Sequence, residues 1–224
     1  MKQLSQHNNF VYLFFSLIIL LFSAAFVGEI PDNMGEDIFS FVTLLMLLTS
    51  IKSLKTDVTW KMATYIIIAS YTFLTLLSKF SPHDLYIYFM LIALLAFFIG
   101  AFYLSAKQVL LVGDIDGNKI IGSLSLYLLL GLIWATIYLL ILVMDPQAFS
   151  GIEAGNWQQI FSRVAYYSFV TLTTLGYGDI LPTNHIAEFF VYMEAIVGVF
   201  YMAIIVSSLI SLRLAAIQDK KSKE

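Results

Sequence analysis

The sequence predicts an all-α membrane protein with six transmembrane helices and a re-entrant half-helix and loop between the fifth and the sixth. Three observations carry this. First, 60% of the 224 residues are hydrophobic and only 12% are charged, more apolar surface than a soluble domain of this size can hide. Second, six apolar runs are long enough to be spans, by the measure of roughly 20 residues per crossing. Third, the last two runs are separated by Thr171-Leu172-Thr173-Thr174-Leu175-Gly176-Tyr177-Gly178-Asp179, a glycine-rich stretch in an otherwise membrane-like setting.

The first run extends from about Phe10 to Val27. A cleaved signal peptide is the competing reading, since Ser23-Ala24-Ala25 imitates a cleavage site, but the run is long for that role. The segment Glu29 to Asp37 is acidic and contains Pro31. The second run, about Ile38 to Ile51, is the shortest. The third, about Met62 to Leu77, contains Ser70, Thr72 and Thr75, hydroxyls expected to hydrogen-bond or pack against neighbouring helices. The fourth covers about Leu85 to Ala106, the fifth about Ile120 to Met144, and the sixth about Ile186 to Leu212. A polar tail closes the chain. The expected division is 1–119 as a peripheral four-helix region with a linker, 120–212 as a second unit, and 213–224 as a cytoplasmic tail. The tail is too short for a ligand-binding domain, so none is expected in this chain.

Basic residues set the orientation. With the N-terminus inside, the cytoplasmic segments hold every one of the 12 Lys and Arg except Lys79 and Arg163. Both termini are therefore expected in the cytoplasm of a multi-pass cell-membrane protein, and the 145–186 segment outside. The absence of cysteine excludes disulfides and thiolate metal sites. No His-rich, Ser-His or paired-acid constellation suggests an enzyme, and neither a cofactor nor a nucleic-acid partner is expected.

The 145–186 segment is too long for a plain loop. Gly155-Asn156 can cap a helix starting near Trp157. That helix, ending near Thr173, is too short to cross the bilayer and reads as a half-helix that returns as extended backbone. Irregular backbone survives at membrane depth only when it is buried in protein or lines a water-filled path. Gly176 and Gly178 can take positive φ at little cost, which lets successive carbonyls face one side. Carbonyls of Thr174, Leu175, Gly176 and Tyr177, with the Thr174 hydroxyl, could then replace the water around a cation. One strand cannot surround an ion, so several chains are required. Asp179 would form a carboxylate ring at the mouth, and the C-terminus of the half-helix would favour a cation below the strand.

Thr174-Leu175-Gly176-Tyr177-Gly178-Asp179 resembles the potassium-channel selectivity filter, with Leu175 where valine is commoner. Gly122 to Trp134 and Glu194-Ala195-Ile196-Val197-Gly198 are similar to bacterial six-helix members of the pore-domain family. The resemblance is specific from about Ile120 to Leu212. It implies a homotetrameric channel subunit passing K⁺, with K⁺ bound at Thr174, Leu175, Gly176 and Tyr177 as the permeant ion. It also implies aromatic braces at Tyr166 and Tyr167, and a hinge at Gly198 unless that glycine serves close packing. Met202, Val206 and Ile210 follow at helical spacing, facing either the cavity and gate or lipid and neighbours. Two alternatives keep part of this picture: a poorly selective cation channel, and a K⁺ transporter subunit, which usually carries four degenerate filter repeats.

Glu194 lies within the last span, as a filter support or as a pH or ion sensor. Arg163 is expected to reach headgroups or an acid such as Glu188. His185 and Glu188 are expected to be solvated at the surface, with external pH sensing as the alternative. Asp114-Ile115-Asp116-Gly117-Asn118-Lys119 has its glycine at the wrong place for a calcium loop and reads as a tight turn. In voltage-gated relatives the fourth span carries arginines. Here Leu85 to Ala106 contains no Lys or Arg, so no voltage sensor of that kind is expected.

Overall fold

The computed structural model describes residues 9–27, 29–30, 34–54, 58–80, 84–111, 117–153 and 155–221. Seven helices follow one another: α1 Asn9–Phe26, α2 Met34–Ser53, α3 Val58–Phe80, α4 Asp84–Leu111, α5 Gly117–Met144, α6 Trp157–Leu172 and α7 His185–Lys221. A ribbon of two short strands, β1 Phe149–Ser150 and β2 Leu181–Pro182, pairs antiparallel with Phe149 opposite Pro182. Five of the helices (α2, α3, α4, α5 and α7) are long and apolar enough to cross a membrane, and α1 is a shorter apolar helix.

The helices are apolar nearly all round, as membrane helices are. In α1, Phe10, Leu13, Leu17, Leu20 and Ala24 are buried at alternating spacings of three and four, which is one helical face. Tyr12, Phe15, Ile19 and Phe22 are exposed on the other face, where a bilayer would cover them. α5 is the hub and packs against α1, α4, α6 and α7. Small residues permit the close crossings. A Cβ at Gly100 would lie 2.1 Å from the Trp60 ring, and one at Gly122 would lie 2.7 Å from Val109.

Several elements differ from the sequence reading. α2 starts earlier than the apolar run, because Glu36 and Asp37 occupy its first turn, where carboxylates suit the positive end of the helix dipole. Ser70, Thr72 and Thr75 bond chiefly within their own helix, and Thr75 makes the expected contact with a neighbour as well. They donate to Ile67 O, Ile68 O and Tyr71 O of their own helix at 2.9, 2.8 and 2.8 Å, the back-bonding open to hydroxyls in helices. Thr75 alone also approaches a neighbour, the Met90 sulfur at 3.8 Å. Of the expected turn, Asp114 to Asp116 lie outside the described residues, and Gly117 to Lys119 are helical. Asn118 Oδ1 accepts from Phe10 N at 3.1 Å, tying α5 to the start of α1. The tail is helical to Lys221 because no glycine or proline interrupts the Leu-Ala-rich sequence after Gly198.

Candidate functional site

The site is built from α5, α6, α7 and the strand between the last two. Asn156 is the N-cap of α6 (φ −70°, ψ 161°), and its Oδ1 accepts from Gln159 N at 3.0 Å. The sixteen residues of α6 rise about 24 Å, short of the ~30 Å hydrocarbon core. The chain then turns back. Thr173 N and Thr174 N donate to Phe169 O and Thr171 O, and Leu175 N and Gly176 N both donate to Val170 O at 2.9 and 3.3 Å. Four successive N–H groups are thus folded onto the last turn of α6.

The carbonyls of this strand are disposed by an alternation of backbone hand. Thr174, Gly176 and Gly178 have φ of 61°, 55° and 79°, and Leu175 and Tyr177 between them do not have positive φ. In an ordinary strand successive carbonyls point to opposite sides. Alternation of positive and negative φ can instead bring successive peptide units to the same side. Thr174 is the only non-glycine residue with positive φ among those described, a conformation that costs a β-branched residue of order 1–3 kcal/mol. Residues 173–179 are exposed in the single chain, and a Cβ at Gly176 or Gly178 would meet nothing within 4 Å.

The strand leaves the bend through a clamped mouth. Thr183 N donates to Ala148 O at 2.9 Å, and the Thr183 hydroxyl donates to Gln147 O. Asn184 caps α7, its Oδ1 accepting from Ala187 N at 2.8 Å, while its Nδ2 donates to Asp145 Oδ2 at 2.8 Å. The end of α5 and the start of α7 are therefore at one end of the molecule, with β1 and β2 between them. Gly151 is required here. Its φ is +81°, and a Cβ would lie 2.0 Å from Asp179 O.

Tyr166 and Tyr167 take opposite positions. Tyr167 is buried, with ring centroids 5.4 Å from Tyr138 and 5.6 Å from Phe149, and it lines the space behind the strand with Val170 and Thr174. Tyr166 is exposed beside Asp179, and the Arg163 guanidinium sits 5.7 Å from its ring centroid. Arg163 does not pair with Glu188. Its Nη2 donates to Gly151 O at 3.2 Å, and Glu188 Oε2 lies 3.1 Å from His185 Nδ1. α6 starts after the same loop that holds Gly151, which is why its arginine reaches that loop.

Glu194 is fully buried at the junction of three helices. Tyr138 Oη of α5 donates to its Oε2. Ser168 Oγ of α6 lies 2.5 Å from its Oε1 and 2.8 Å from Gly131 O of α5. One turn further on, Gly198 passes the end of α6 so closely that a Cβ would lie 2.4 Å from Leu172 O, and α7 runs through it unbroken. Tyr201 Oη donates to Ser123 O of α5, with its ring 5.3 Å from that of Tyr127. Met202 is exposed, and the side chains of Val206 and Ile210 lie outside the described residues. Tyr138, Ser168, Gly151 and Tyr201 were not singled out from sequence. Their partners are distant in the chain and no local spacing marks them.

Residues 126–213 match the family model described as an ion channel. This part of the chain, from α5 through the strand into α7, is thus similar to ion channels, and α2, α3 and α4 beside it are long and apolar enough to cross a membrane. No curated protein and no solved structure matches the chain.

Proposed function

We propose that this chain is one subunit of a homotetrameric, K⁺-selective channel of the cell membrane. It crosses the membrane six times, has both termini in the cytoplasm, and needs no cofactor. The observation that carries the reading is the alternation of φ at Thr174, Gly176 and Gly178, with the strand's N–H groups returned to Val170. This leaves the Thr174, Leu175, Gly176 and Tyr177 carbonyls as an oxygen ladder for a dehydrated cation. One chain supplies one wall of such a ladder. The exposed strand and the exposed apolar face of α7 (Val199, Phe200, Ile204) support closure by further copies of the same chain. Backbone of this kind is tolerated at membrane depth only inside protein or along water.

In this reading α6 is the re-entrant pore helix and directs its C-terminal dipole at the entering cation. Asp179 concentrates cations at the outer mouth. Tyr167 and Glu194 hold the strand from behind, and Tyr166 does so at the mouth. α7 is the inner helix, with the gate toward Met202, Val206 and Ile210. α4 carries no Lys or Arg from Leu85 to Ala106, so opening is not driven by a voltage sensor of the kind that carries arginines on the fourth span.

The test is K⁺ efflux from vesicles containing purified protein. Efflux should be fast and should stop at the K⁺ equilibrium potential, without the steep voltage dependence of opening that several gating charges would give. Absence of efflux from protein that elutes as a tetramer would overturn the proposal.

A further inference from the structure

Four polar groups meet behind the strand, at the junction of α5, α6 and α7: the Tyr138 hydroxyl, the Ser168 hydroxyl, the Gly131 carbonyl and the Glu194 carboxyl. Tyr138, Ser168 and Glu194 are fully buried. Tyr138 Oη meets Glu194 Oε2, Ser168 Oγ lies 2.5 Å from Glu194 Oε1, and the same Ser168 Oγ lies 2.8 Å from Gly131 O. Each of these three contacts joins two oxygens, so each needs a proton between them.

Gly131 O is a backbone carbonyl and can only accept, so Ser168 must give it the single hydroxyl proton. Ser168 then has only lone pairs to offer Glu194 Oε1. Tyr138 supplies the proton of its own contact with Oε2. An ionised Glu194 adds no proton, which leaves two protons for three contacts and one pair of buried oxygens with lone pairs face to face. A protonated Glu194 completes the set: Oε1–H donates to Ser168, Ser168 donates to Gly131 O, and Tyr138 donates to Oε2. The other titratable groups facing Glu194 are Tyr127 of α5 and Tyr167 of α6. Among the described residues no Lys, Arg or His bonds to it, so no cation is at hand to pair the charge that a buried carboxylate would carry.

We propose that Glu194 works as a neutral carboxylic acid that donates its proton to Ser168 and so commits the Ser168 proton to Gly131 O. It is a positioning residue. The relay runs from Tyr138 of α5 through Glu194 of α7 and Ser168 of α6 back to Gly131 of α5, and every bond in it has one direction. Ser168 stands two residues before Val170, whose carbonyl accepts from Leu175 N and Gly176 N. Holding Ser168 against α5 therefore holds the carbonyl from which the strand hangs. Any consequence for conduction rests on the channel reading, whereas the proton on Glu194 does not.

Infrared difference spectra of the purified full-length protein in an ester-free detergent, unaltered minus E194Q at neutral pH, test this without any conduction measurement. The expected result is the carbonyl stretch of a protonated carboxylic acid, present in the unaltered protein and missing from E194Q. E194Q keeps an amide donor for Ser168 and an acceptor for Tyr138, which protects the fold. The acid band should move in S168A, which removes the acceptor of its proton, and in Y138F, which removes the donor to its carbonyl oxygen, with the helical amide bands unchanged in both. A carboxylate stretch lost in E194Q in place of the acid band would overturn the proposal. So would an acid band that stays unmoved in both S168A and Y138F. The acid band in a protein that passes no K⁺ would uphold the proton on Glu194 and count against the channel reading alone.

Discussion

The two halves of the molecule use polar groups in opposite ways. In α1 to α4 most hydroxyls described serve their own helices: Ser16 bonds Leu13 O, Thr43 bonds Phe39 O, Thr64 bonds Trp60 O and Ser70 bonds Ile67 O, with Thr75 to the Met90 sulfur as an exception. Packing there rests on apolar side chains and close glycine crossings. Around the strand the polar groups cross between elements instead. Glu194 meets Tyr138 and Ser168, Ser168 meets Gly131, Tyr201 meets Ser123, and Asn184 meets Asp145. Apolar packing alone gives helices little reason to hold one register in lipid, whereas a buried hydrogen bond fixes register. The half that carries the strand is the half pinned by such bonds.

Substitutions should therefore lose effect with distance from the strand and from its pins. The largest effect is expected from Gly178→Ala or Gly176→Ala, which places a side chain at positive φ and disturbs the alternation of carbonyls. K⁺ current should be lost or made non-selective while the tetramer persists, as single-channel recording and size-exclusion chromatography would show. Retained selectivity in both would break the link between φ alternation and function.

Next comes Glu194→Leu. It leaves the Tyr138 hydroxyl buried without its acceptor and removes the polar junction of three helices, at about 1–3 kcal/mol for each stranded group. Thermal stability of the tetramer should fall clearly, whereas Glu194→Gln, which can still bond both Tyr138 and Ser168, should stay near the unaltered protein. Equal behaviour of the two variants would mean that the pins are incidental.

A smaller change is expected for Tyr201→Phe, which keeps the ring against Tyr127 and removes one hydrogen bond worth about 0.5–1.5 kcal/mol. Open probability in bilayers should shift by up to about tenfold, with selectivity unchanged. The smallest effect belongs to Thr72→Val in α3, expected within about 0.5 kcal/mol. A large loss of stability there would erase the contrast between the halves.

The sequence makes the periphery and the strand legible for local reasons. Apolar run length locates the spans, Asn156 before Trp157 marks the start of α6, and two glycines flanking Tyr177 mark the strand. The pins are not legible, because their partners are 26, 56 and 78 residues apart for Ser168–Glu194, Tyr138–Glu194 and Ser123–Tyr201. Glu194 is conspicuous as an acid in an apolar run, yet nothing in the run names Tyr138 as its donor. Gly151 looks like an ordinary loop glycine until Asp179 O is seen against it. Arg163 reads from sequence as reaching headgroups or an acid such as Glu188, whereas the loop that starts α6 supplies the Gly151 carbonyl.

The central claim is that the Thr174 to Tyr177 carbonyls select K⁺. Reversal potentials of purified protein in planar bilayers, with K⁺ on one side and Na⁺ on the other, test it most directly. The account predicts a reversal potential that follows the K⁺ gradient and ignores replacement of Na⁺. A value that responds equally to Na⁺ and K⁺ would contradict it.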